Sequence, residues 1–251
     1  MRTCIATVVT ALALATLAHA APQNIAREKA MPPYRAGLDH MQAEAFEQAA
    51  KAFQAAIGMD PTFEMAHYFL GRAYMPLKKY VEAAAAFAKT RELYIGATGR
   101  QFANVQEAQR YRRERVIEID EVIRQLQSGG QIQSAQTQHY LRQLNEQRRL
   151  LQESIQRGGD VTITTSVPAY VSLSLGSAYF RMGNLPEAEK AYREAIAADP
   201  KAGEAHNNLA VVYLETGRYK EAQQAVRAAE KAGIQVHPQL KADIAAKIKS
   251  S

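Results

Sequence analysis

Apolar residues recur at three- and four-residue steps over most of the chain, and the steps themselves repeat every 34 residues. With Gly37, Gly71, Gly176 and Ala210 as phase marks, His40, Tyr74, Tyr179 or Tyr213 follows three residues later. Nine residues on come Phe46, Tyr80, Leu185 or Tyr219, and twelve on an alanine each time: Ala49, Ala83, Ala188, Ala222. Four further stands Phe53, Phe87, Tyr192 or Val226. The spacing predicts four pairs of short antiparallel helices. A small residue on one helix and an alanine on the next permit close approach, and the larger residues form the seam. Gly183 and Gly217 suit the turn within a pair, and the prolines of Asp60-Pro61 and Asp199-Pro200 end second helices, because a residue before proline is pushed out of the helical region.

Leu-Gly followed by Tyr, then Ala, an aromatic and Pro, resembles the tetratricopeptide repeat. The departures are the absence of tryptophan, Ala210 in place of the glycine, and Ile95 and Ile234 where the proline would fall. The resemblance implies an all-α, helical-repeat solenoid with repeats over 33–95 and 168–235.

Ile95 to Gly99, with two glycines, reads as a connector, and between these pairs the pattern stops. From 100 to 157 the composition shifts to Gln and Arg without lysine, and two helices are predicted, Arg100 to Ser128 and Gln131 to Arg157, on either side of Gly129-Gly130. Each would be about 40 Å long at 1.5 Å per residue, too long for a repeat helix. Phe102, Val105, Val116, Ile119, Ile123 and Leu126 alternate three and four apart, as do Leu141, Leu144, Leu151 and Ile155, which predicts a long antiparallel helical (coiled-coil) hairpin interrupting the solenoid. One antiparallel register faces Val105 with Ile155, Val116 with Leu144, Ile119 with Leu141 and Gln109 with Leu151. It also faces Arg112 with Arg148. Either both arginines lay their stems on the seam with their heads in water, or they form an anion site. Residues 158–167, with alternating β-branched side chains, read as an extended connector, and 237–251 as a capping helix closing the solenoid.

At the amino end, Arg2 precedes an apolar stretch from Cys4 to Leu17 and then Ala18-His19-Ala20, so residues 1–20 read as a secretory signal peptide, the alternative being an uncleaved anchor. Residues 21–32 read as a loose leader, with Pro32-Pro33 opening the first leading helix. Cys4 is the only cysteine, so the mature chain has no thiol or disulfide, and no later run is long enough for a transmembrane span. The expectation is an exported protein, periplasmic or secreted if bacterial. Loss of Arg2 with the leader lowers the net charge from +6 to +5. The pI of about 9.3 raises nucleic acid as a partner, but Glu107, Glu114, Glu118 and Glu121 break the basic run, which argues for no nucleic acid.

No metalloprotease helix, phosphate loop or nucleophile elbow is present, so the chain reads as no enzyme, with no cofactor and no metal. His40 and His206 lie at repeat positions and read as packing residues. In the family it resembles, leading helices line a concave groove that takes a protein or peptide partner. The corresponding positions are Tyr34, Leu38 and Met41; Tyr68, Arg72 and Met75; Leu173, Ser177, Phe180 and Arg181; and Asn207, Asn208, Val211 and Leu214. Of the Lys and Asn set with which one subset of the family grips a terminal carboxylate, only Asn208 matches. Two occupants fit this groove, a partner or the chain's own segments. A scaffold or adaptor is the leading function, and self-association of a structural envelope protein through the hairpin the alternative.

Overall fold

A computed structural model describes residues 25–98, 101, 102, 104–128, 135–159, 161, 162 and 166–250. The predicted signal peptide, the Gly129-Gly130 turn, Arg100, Gln131 and the side chain of Leu126 lie outside the described residues. The described residues form α1 (25–42), α2 (Phe46–Met59), α3 (Glu64–Tyr74), α4 (Tyr80–Ala97), α5 (Val105–Ser128), α6 (Ala135–Arg157), α7 (Ala169–Arg181), α8 (Leu185–Ala198), α9 (Gly203–Glu215), α10 (Tyr219–Lys231) and α11 (Pro238–Ser250). The pairs α1/α2, joined by Tyr34 on Phe53, and α3/α4, α7/α8 and α9/α10 are the four repeats, and α11 packs on α10.

The small phase-mark residue has a more specific cause than approach to the alanine. A Cβ on Gly71 would lie 2.7 Å from the Phe87 ring, and one on Gly176 2.7 Å from the Tyr192 ring. The glycine therefore makes room for the aromatic sixteen residues on. Where that residue is Val226, Ala210 fits and is fully buried. The Asp-Pro ends work as expected: Asp60 and Asp199 are extended, at φ −135° and −142°. Their carboxylates accept from the Thr62 and Lys201 amides at 2.9 Å, closing the loop to the next helix.

The two repeat pairs stack, because α4 packs on α7. Tyr68 and Tyr170 meet edge to face at 4.9 Å, the Tyr94 and Tyr170 hydroxyls lie 3.3 Å apart, and Arg91 pairs with Glu194 at 2.8 Å. One core cluster consequently runs from α1 through α7, and a second fills α8 to α11.

Three expectations are corrected. Residues 25–31 are no loose leader: α1 is helical through Pro32-Pro33, although two amide donors are missing there. The carbonyls so freed belong to exposed Glu28 and Lys29, while Ala30 and Tyr34 are buried and hold the helix in place. Ile95 and Gly96 continue α4 rather than forming a connector. The hairpin arms α5 and α6 pack together with opposed directions, but in another register: Arg148 pairs with Asp120 at 2.9 Å, eight residues beyond Arg112. A seven-residue apolar period fits equally well when slid by about one heptad. Docking against the repeats selects the register, since Ile119, Val122, Ile123 and Leu144 enter the same core as α1 to α4.

That docking runs along the edge where second helices hand over to leading ones, and a buried ionic network secures it. Arg27 of α1 bonds Asp60, Glu118 at 2.6 Å and Glu64 at 3.3 Å, with its guanidinium 4.2 Å above the Phe63 ring. Arg115 bonds Glu118 at 2.6 Å, Glu64 at 3.4 Å and the Tyr94 hydroxyl at 2.7 Å. Burial works against the charge on both guanidiniums. The surrounding acidic groups, carboxylates around Arg27 and carboxylates with tyrosine hydroxyls around Arg115, more than offset it, so both pKa values lie above the ordinary arginine value. At the hairpin's base, Asn104 caps α5 by accepting from the Glu107 amide at 2.9 Å. The Phe102 amide donates to the Val161 carbonyl at 2.9 Å, beside an antiparallel bridge from Gln101 to Thr162.

Candidate protein-binding groove

The leading helices α1, α3, α7 and α9 carry every residue assigned to the groove from sequence except Met75, which follows α3 directly. The fold divides these residues into two sets. Tyr34, Leu38 and Tyr68 are 0%, 2% and 4% exposed. They belong to the core: Tyr34 packs on Phe63 at 4.6 Å and Phe53 at 5.9 Å, and Tyr68 on Phe87 at 5.6 Å. The rings of Tyr34 and Tyr68, three residues before the phase mark in the first two repeats, turn inward with Leu38 beside them and seal the face, so these three have no surface to offer a partner. Met41, Arg72 and Met75 stay half-buried at its margin, with Arg72 5.6 Å from the Phe69 ring centre.

In the second pair the same positions remain accessible. Leu173, Ser177, Phe180, Asn207, Asn208, Val211 and Leu214 are half-buried and Arg181 is exposed. Leu173, Phe180 and Leu214 rest on one core cluster, and α7 and α9 lie side by side. The polar members are fixed from behind. Ser177 donates to the Leu173 carbonyl at 3.0 Å and accepts from the Tyr192 hydroxyl at 3.4 Å. Burial pushes the Tyr192 hydroxyl pKa up, while its hydrogen bonds to Ser177 and Asn208 pull the other way. Asn207 donates to the Asn208 side-chain oxygen at 3.4 Å. Tyr192 is thus a supporting residue where the spacing alone predicts only seam. Its signal in the sequence is the aromatic opposite the glycine, with a hydroxyl that needs partners.

The remaining candidates are structural or stand apart. The ring nitrogens of His67 and His206 donate to the Pro61 and Pro200 carbonyls at 3.0 and 3.1 Å, the same contact one repeat pair apart. Arg112 and Arg148 do not form a facing pair: Arg112 donates to the Thr162 carbonyl at 3.3 Å, while Arg148 bonds Asp120 and Asn145. Among the described residues no group of three or more His, Cys, Asp or Glu could hold a metal ion, and no helix is long and apolar enough to cross a membrane.

Stacked antiparallel helix pairs with side-by-side leading helices define a helical-repeat solenoid. The chain belongs to the tetratricopeptide repeat family, whose sequence profile matches residues 34–98 and 173–236, one match on each repeat pair. No curated protein matches the sequence. Among solved structures it is similar to PilW, described as a widely conserved type IV pilus biogenesis factor, at 16% identity over 91% of this chain and 87% of that one, with a TM-score of 0.38. A thermophilic repeat protein of Thermus thermophilus, TTC0263, shows 20% identity over 87% and 98% of the two chains and a TM-score of 0.35. The TPR2AB domain of yeast Sti1, solved as a pHSP90 complex, shows 14% identity over 87% and 99%, with a TM-score of 0.29.

Proposed function

We propose that the chain is an exported adaptor that holds a protein or peptide partner on the face formed by α7 and α9. The observation that carries this is the contrast at matching repeat positions: Tyr34, Tyr68 and Leu38 are buried in the first pair, whereas their counterparts Leu173, Asn207 and Val211 are half-buried in the second, beside Phe180 and Leu214. An apolar strip flanked by pre-positioned amides suits one side of an amphipathic helix or an extended peptide, whose backbone Asn207 and Asn208 can bond with their remaining donors and acceptors. Export rests on the character of residues 1–20.

Photo-crosslinking tests the site. A benzoylphenylalanine at Val211 is expected to give a discrete adduct that disappears on Phe180→Asp, whereas the same probe at exposed Gln224 of α10 gives none. An equal adduct from Gln224, or one indifferent to Phe180→Asp, places binding elsewhere.

A second reading, self-association through the hairpin, draws on Ile117, which is 54% exposed on the outer side of α5. Sedimentation mass that rises with concentration and falls back in Ile117→Glu would favour it.

A further inference from the structure

Where the hairpin meets the end of α4 and the connector before α7, the chain encloses a cavity of about 290 Å³. Its wall includes three guanidinium groups, Arg112, Arg115 and Arg157, with the hydroxyl-bearing Tyr111, Ser154 and Thr162 beside them. No carboxylate is among the described residues that line it. An arginine offers only donors and carries its charge at every relevant pH. The fold brings the three to one small cavity, where Arg115 is held by the carboxylates of Glu64 and Glu118.

The three are not equivalent. Arg115 already faces Glu64 and Glu118 on its far side and serves as a charged wall. Arg112 is 5% exposed, and its guanidinium donates to the Thr162 carbonyl at 3.3 Å. Arg157 ends α6 and stands exposed at the mouth. Its charge suits the carbonyl end of a helix, yet among the described residues no ion pair engages it. Ile119, Leu151 and Pro168 give the cavity an apolar side.

We infer that this cavity binds a small phosphate-type anion, inorganic phosphate or a phosphomonoester, between Arg112 and Arg157. Planar guanidinium forks match the oxygens of phosphate in bidentate fashion, and hydroxyls complete the shell. The size lies at the small end of ligand sites, which excludes a nucleic acid strand and fits one phosphate with a short apolar substituent. The bound anion bridges α5 and α6 and so fastens the hairpin base, in a place separate from the groove on α7 and α9.

Calorimetric titration of the full chain with inorganic phosphate and with phenyl phosphate, at constant ionic strength, tests this. Saturable binding is expected, weakened roughly tenfold to a hundredfold in Arg157→Gln, the loss of one charged hydrogen-bonding group, and unchanged in Arg148→Gln. Because Arg157 is exposed, its variant is expected to fold. Arg112→Lys, which keeps the charge and loses the fork, is expected to bind more weakly than the parent. A parallel arm uses phosphatidylcholine vesicles with and without phosphatidate. Cosedimentation with phosphatidate that needs Arg157 assigns the anion to a lipid headgroup, and its absence beside soluble binding assigns it to a free phosphate. No saturable binding in either arm, or binding equal in Arg157→Gln, overturns the site.

Discussion

The two repeat pairs share a spacing and differ in what they do with it. In the first pair, aromatic rings on the leading helices point inward, the hairpin closes one edge, and half-buried Arg27 and buried Arg115 lie among Asp60, Glu64 and Glu118. In the second pair the corresponding face stays half-open, charges such as Arg218 with Glu189 and Glu221 remain near the surface, and a single helix caps the end. The repeat therefore sets where backbones lie, and side-chain size at one position sets whether a face is sealed. Rigid anchoring and an open face are separated along one solenoid.

The strongest way to break this contrast is to remove a guanidinium from each half. Arg115→Met leaves Glu64 and Glu118 buried with less compensation and is expected to cost about 3–5 kcal/mol. Arg218→Met removes a mostly solvated pair and is expected to cost about 0–1 kcal/mol. Urea denaturation of both variants measures the difference. Equal losses would mean that the first pair gains no special anchoring from its network.

A smaller effect tests the glycine and aromatic pairing. Gly71→Ala sets a methyl against the Phe87 ring and is expected to destabilise by about 1–3 kcal/mol. In a Phe87→Val background, which copies the Ala210 and Val226 arrangement, the same change is expected to cost clearly less, so the double-mutant cycle should show coupling. Strict additivity would detach the glycine from the ring and return its explanation to helix approach alone.

The repeats are legible in the sequence because a 34-residue period leaves alanines and glycines at fixed places. The groove is only half legible. Tyr34 and Leu173 occupy the same repeat position, and helical periodicity marks core and groove alike. Only the partners behind each ring, Phe53 and Phe63 for Tyr34, decide which it is. The buried network is hidden for a related reason. Arg27, Glu64 and Arg115 are far apart in the chain and each looks like an ordinary helix-surface charge. The hairpin register is ambiguous because a heptad pattern tolerates sliding, and the sequence misplaces the start of α1 at Pro32 because proline usually opens a helix rather than sitting within one.

The turns within the repeats carry the smallest difference between the halves. Seven residues after each phase mark the chain enters the left-handed region: Gly183 and Gly217 at φ 76° in the second pair, but Glu44 at 55° and Lys78 at 58° in the first. All four amides make the same bond to the carbonyl three residues back, at 3.2 Å in Glu44, 3.1 Å in Lys78, 3.0 Å in Gly183 and 3.2 Å in Gly217. The geometry is thus common, and the side chain alone adds strain, which for a residue other than glycine is about 1–2 kcal/mol. Part of that is returned by the greater freedom glycine has when unfolded. Lys78→Gly is therefore expected to stabilise by about 0.5–1 kcal/mol, raising Tm by roughly 1–4 °C in a protein of this size. Gly217→Lys is expected to cost about 0.5–1 kcal/mol by the same balance. Both positions are exposed, so neither change disturbs packing. A rise in one thermal melt and a fall in the other would show that the first pair tolerates strained turns because its core and ionic network hold it. If Lys78→Gly leaves Tm unchanged while Gly217→Lys lowers it, the strain at Lys78 is offset locally, and the turns are equivalent in shape but not in energy.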